Sequence, residues 1–70
     1  MSELVFEVTQ EGDGGYCAEC LTENIATEGD TWEQLRENVR EAVRGYYFDA
    51  TPKPVLSIRL HLVRDELLAA

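Results

Sequence analysis

Three sets of residues in this chain are of types that do chemistry: Cys17 and Cys20 in a Cys-x-x-Cys, the single His61, and the carboxylates Glu7 and Glu19. A Cys-x-x-Cys carries redox or zinc chemistry when it sits on a helix start or a tight knuckle, where both sulfurs converge. Here the flanking Tyr16 and Ala18-Glu19 read as strand, and strand positions three apart point to opposite faces. No second Cys/His pair completes a zinc site, so both thiols are read as packing or surface groups. His61 would need a nearby Ser or Cys and an orienting acid to act in nucleophilic or acid–base catalysis. It is read instead as an outward strand histidine that contacts a neighbouring subunit. Glu7 and Glu19 could lie side by side on adjacent strands, but a two-metal site needs a larger converging set of carboxylates. Glu11-Gly12-Asp13-Gly14 has too few acids for a calcium loop and reads as a turn. No catalytic residue, cofactor or metal is expected.

The elements that position these groups follow from periodicity. Leu4, Phe6 and Val8 alternate with Glu3, Glu7 and Thr9, which predicts a first strand. Gln10-Glu11-Gly12-Asp13-Gly14-Gly15 is turn chemistry. Tyr16 to Leu21 forms the return strand, with Tyr16, Ala18 and Cys20 on one face and Cys17 and Glu19 on the other. Thr22-Glu23-Asn24 turns again into a short third strand, Ile25 to Glu28. At Gly29-Asp30-Thr31 the period changes from two to about 3.6. Thr31 and Gln34 fit a capping box, and Glu33 suits the positive end of the helix dipole. Trp32, Leu35, Val39, Ala42, Val43 and Tyr46 make one apolar stripe, with Glu33/Arg36, Glu37/Arg40 and Glu41/Arg44 opposite. The helix is expected to run on to Asp49, burying Tyr46, Tyr47 and Phe48. Thr51-Pro52-Lys53-Pro54 reads as a stiff extended connector. Val55 to Val63 alternates Leu56, Ile58, Leu60 and Leu62 with Ser57, Arg59 and His61, and is expected to be the longest and central strand. Arg64 to Ala70 reads as a short helical turn or a frayed tail.

The 70 residues therefore make one α+β domain of order β-β-β-α-β, a three-stranded antiparallel meander plus a fourth strand, with one helix on one sheet face. One helix covers one face, so Val5, Glu7, Cys17, Glu19, Ser57, Arg59 and His61 are left on an open face. Charge sharpens this picture. The chain carries six basic and fourteen acidic residues, a net −8. Residues 1–35 hold nine of the acids and no Lys or Arg. This argues against direct grip on nucleic acid, whose affinity comes from Lys and Arg, and suggests either attraction to a basic protein partner or simply a soluble surface. The amino terminus has no basic leader and no run approaches the ~20 apolar residues of a membrane span. A cytoplasmic chain that touches no membrane is the expectation.

Gly14-Gly15-Tyr16 at the second strand, Gly29-Asp30-Thr31 followed by Glu33 and Leu35, Asn38 and Ala42 on the helix, and Pro52-Lys53-Pro54 before the last strand resemble the amino-terminal domain of HicB-type antitoxins. The likeness covers nearly the whole chain in order and spacing. It implies a partial RNase H-like fold and a non-enzymatic, cytoplasmic protein that neutralises a small basic mRNA-cleaving toxin of the HicA type. Members of that family usually carry a further DNA-binding segment, whereas residues 1–70 are read as the single HicB-like domain without one. The expected partner contacts are Glu7, Glu19, Glu23, Glu28, Arg59 and His61, in a homodimer or larger assembly. The alternative is an orphan homo-oligomeric structural or regulatory domain without a toxin, its open sheet face used for self-association.

Overall fold

A computed structural model describes residues 2–54, 56–64 and 67–70. The order is β1 (Ser2–Gln10), β2 (Tyr16–Cys20), β3 (Ala26–Gly29), α1 (Trp32–Tyr46) and β4 (Leu56–Val63). The strands form one mixed sheet in the order β3-β2-β1-β4. β1–β2 and β2–β3 are antiparallel, as expected for a meander, and β4 runs parallel to β1. The alternating residues of β1 and β2 supply the floor of the core: Leu4, Phe6 and Val8 with Ala18 and Cys20 are buried. Leu35, Val39 and Val43 of α1 close it from above, with Ile25 at the β2–β3 turn. Trp32 meets Tyr16 edge-on, ring centroids 5.4 Å apart, which shields the end of the core nearest the helix start.

The join between β3 and α1 sets the distance between sheet and helix. Thr31 caps the helix, its Oγ1 accepting from the Gln34 N–H at 3.1 Å. Gln34 Oε1 reaches back one residue further than a capping box requires and accepts from the Asp30 N–H at 3.0 Å. Asn38 Nδ2 donates to the Glu28 carbonyl at 2.7 Å, tying the second helical turn to β3. Gly29 makes this possible by having no side chain: a Cβ there would lie 2.5 Å from the Leu35 amide nitrogen and 2.8 Å from its Cα. Both are backbone atoms and cannot swing aside.

Several expectations are corrected. β4 is an edge strand, and at eight residues it is shorter than the nine of β1. The hairpin fills one side of β1, and the crossover through α1 returns the chain to the other side, where no further strand follows. Helix α1 stops at Tyr46 instead of Asp49. The Tyr47 N–H bonds Val43 O at 3.1 Å, the Phe48 N–H bonds Gly45 O at 3.4 Å, and the chain tightens into a turn. Gly45 weakens the last turn, and Lys53 ends it by donating from Nζ to Tyr47 O at 3.1 Å and to Phe48 O, placing a cation at the negative end of the dipole. As a result Phe48 is 74% exposed and Tyr46 points outward, where both were expected in the core. The connector bends at Thr51 and Pro52 to bring Lys53 there. Of the three helical ion pairs, Glu37–Arg40 and Glu41–Arg44 form, and Glu33–Arg36 does not. Residues 64 and 67–70 carry no regular structure, and residues 65 and 66 of the expected tail, like Val55, lie outside the described set.

Gly29→Ala is expected to lower stability by roughly 2 kcal/mol or more, since β3 and α1 must separate to admit a methyl group. Urea denaturation followed by far-UV circular dichroism measures this. An unchanged midpoint would show that the two elements can part without cost.

Candidate functional site

Helix α1 lies over one face of the sheet, so the outward residues of all four strands remain bare on the other. Strand register sorts them into rows. Glu7 stands between Glu19 of β2 and His61 of β4, with Ala26 beyond Glu19. Thr9 stands between Cys17 and Val63, with Glu28 beyond Cys17. Val5 is level with Arg59, and Glu3 with Ser57. Over β1, β2 and β3 this surface forms a shallow open depression of about 710 Å³ whose charged lining is Glu7, Glu19 and Glu28.

Five of the six expected contact residues thus share one face: Glu7, Glu19, Glu28, Arg59 and His61. Glu23 does not. It sits on the turn between β2 and β3 and accepts a hydrogen bond from the Tyr46 hydroxyl at 2.9 Å, beside the end of α1. This bond, with the charge of Glu23, raises the Tyr46 pKa. Nothing in the sequence joins two residues 23 positions apart, so the pairing was not legible there.

The charges on the face are arranged unevenly. Arg59 grips Glu3 with two bonds, Nε to Oε1 at 2.9 Å and an Nη to Oε2 at 3.2 Å. The hydrogen bond from Arg59 lowers the Glu3 pKa and in turn raises that of Arg59. Glu7, Glu19 and Glu28 form no ion pair among the described residues. Glu7 and Glu19 stand directly opposite each other across β1 and β2, an arrangement that costs a sheet a few tenths of a kcal/mol to about 1 kcal/mol. The face is therefore anionic over β1–β3, and its cation is confined to the β4 margin.

The cysteines behave as strand geometry requires. Cys20 is buried with the core, whereas Cys17 lies on the open face, and both are free thiols. Cys17 Sγ donates to Glu11 Oε1 at 2.8 Å. That bond, reinforced by partial burial and the nearby charges of Glu11, Glu28 and Asp13, pushes the Cys17 pKa up to about 11. A thiol held protonated in an anionic setting is a poor nucleophile. Among the described residues, no group of three or more His, Cys, Asp or Glu side chains is placed to hold a metal ion. Glu7 and Glu19 are adjacent but lack the further carboxylates a metal pair would need.

Fold and surface together define the class: a small α+β protein with one sheet face under a helix and the other bare and acidic. No family model matches the chain, and no solved structure matches it. It is 40% identical over 67 residues to a UPF0150 protein of Thermotoga maritima, a match covering 96% of this chain and 91% of that one. The chain belongs to the UPF0150 family. No helix among the described residues is long and apolar enough to cross a membrane.

Two measurements check the electrostatics. At pH 8 the Cys17 thiolate fraction should be about 100-fold below that of an ordinary thiol, so alkylation should be at least about tenfold slower. Peptide-resolved mass spectrometry reads the rate, which Glu11→Gln should increase; equal rates in the two proteins would refute the assignment. For Glu3, the lowered folded-state pKa means its pairing stabilises the fold above the ordinary carboxylate range and is lost as pH falls through the folded value. In Arg59→Gln the Glu3 carboxyl titration, followed by NMR, should move upward toward the unperturbed range.

Proposed function

We propose that this chain is a non-enzymatic binding domain of the HicB antitoxin type, acting in the cytoplasm by masking a small, basic, mRNA-cleaving toxin of the HicA type. The observation that carries the reading is the grouping of Glu7, Glu19 and Glu28 on a sheet face that no helix covers. A protein that grips RNA presents cations. Such a surface would find in this face a set of carboxylates without internal partners, and its approach would relieve the Glu7–Glu19 repulsion. Long-range attraction between the two would raise the association rate. Arg59 and His61 at the β4 margin frame the contact area, and Glu23 lies outside it. Under this reading the domain itself touches neither nucleic acid nor membrane, and its RNase H-like outline serves as a scaffold without the carboxylate set of a nuclease.

The test has two parts. The chain is used as bait in native lysate at low and high salt, and the protein retained at low salt and released at high salt is identified by mass spectrometry and purified. Its binding is then compared between the wild type and Glu7→Lys/Glu19→Lys. The expected partner is small and basic with RNA-cleaving activity that the wild type suppresses. The double reversal should slow association by about tenfold or more, with a weaker salt dependence. Equal association rates in the two proteins would remove the acidic face from the mechanism, and a partner without RNase activity would remove the antitoxin reading.

A further inference from the structure

The two edges of the sheet are built differently. β3 has only four residues, and one of its carbonyls, that of Glu28, is already taken by Asn38 of α1. β4 has eight residues in an unbroken register with β1 from Leu56 to Val63, with no bulge, proline or lysine within it. These are the devices by which an edge is ordinarily kept from pairing. Its side chains on the helix side, Leu56, Ile58 and Leu60, are only partly covered, and Leu62 and Val63 are 43% and 38% exposed.

Charge says what such an edge can meet. β1, β2, β3 and α1 each carry at least one glutamate, whereas β4 carries none. In a chain of net −8 a second copy is repelled from most of the surface, and the β4 edge is where two copies can meet without opposing carboxylates. Shape gives the same answer. Beside the amino-terminal half of β4 an open groove of about 460 Å³ runs between sheet and helix, lined by the cations Arg40, Arg44 and Lys53 together with Val43, Phe48, Leu56 and Ile58, with no acid among the described residues that line it. Antiparallel pairing of two β4 strands about a two-fold axis perpendicular to the sheet brings the exposed Leu62 of one copy beside Leu56 and Ile58 of the other on the helix side, while Val63 stays on the open face with Thr9. The exposed apolar end of each strand then adjoins the groove of the other, in a contact that is self-complementary as a two-fold interface must be.

We propose that the β4 edge is the dimer interface of this protein, joining two copies through antiparallel β4–β4 pairing into one eight-stranded sheet with both helices on the same face. The acidic open faces stay free in this dimer, so a dimer of this kind offers two separate binding surfaces. The inference does not depend on the identity of any other partner.

Sedimentation equilibrium and light scattering on the full chain across micromolar to sub-millimolar concentration test it. The expected mass is twice the 7.9 kDa of one chain, falling toward the single-chain value on dilution. Leu62→Lys and, separately, Leu62→Asp replace a helix-side side chain that is already exposed, so folding judged by circular dichroism should hold while the dimer is lost. Glu7→Lys/Glu19→Lys should leave the dimer intact, which separates this interface from the binding face. A wild type monomeric throughout, or a dimer that survives both β4 substitutions, would overturn the proposal. So would a dimer dispersed by the glutamate reversals alone, which would place self-association on the open face.

Discussion

The close approach of α1 to β3 at Gly29 is the constraint on which the rest of this structure depends. With the Leu35 backbone pressed against the glycine, the helix is held over β3 and β2 and cannot slide outward across the sheet. Thr31, Gln34 and Asn38 each place a hydrogen bond at this junction, so position and entry angle are fixed by the same few residues. Leu35, Val39 and Val43 then join Phe6, Val8 and Ala18 in one buried cluster, and β4 is left only partly roofed. The groove beside β4 and the bare edge are thus consequences of where the helix is anchored.

The same anchoring divides the surface into regions of different character. One helix spent on one face leaves the opposite face to whatever the alternate strand positions carry, and in β1–β3 these are chiefly acids. The helix side of β4 carries leucine and isoleucine. A small domain with nine buried core side chains among its described residues has little stability to spare. It nevertheless tolerates a glutamate pair across β1 and β2 and a long strand at the sheet edge. Both features weaken the isolated chain, and both become favourable in contact with something of the right kind.

Local patterning carried most of the fold and little of the site's pairing. The alternation of Leu4, Phe6 and Val8, the glycine-rich turn, the Thr31 cap and the Leu35-Val39-Val43 stripe are short-range signals, and each element they predict is present. Strand periodicity says which face a residue takes but not which strand stands beside it, so β4 was expected at the centre and lies at the edge. The helix end was misplaced because Tyr46-Tyr47-Phe48 looks like a core segment, and only the return of Lys53 to the carbonyls of Tyr47 and Phe48 shows why it is not. Glu3 with Arg59 and Glu23 with Tyr46 are far apart in sequence, and their meeting depends on register and helix position that no local pattern encodes. Glu7 and Glu19 could be assigned to one face because each lies on a strand with a clear period; Glu28, on a four-residue strand, joins them only through its register with Cys17, and Glu23, on a turn, had no such guide.

The parallel partnership of β1 with β4 also orders events in time. β1 precedes and β4 follows the other elements, and the pair encloses β2, β3 and α1 between them. The meander and helix can assemble from neighbouring segments, but one flank of β1 stays unsatisfied until the final strand arrives. A chain whose meander and helix have formed before β4 docks presents β1 itself as the exposed edge, and docking of β4 moves that edge to a strand with apolar residues on its helix side.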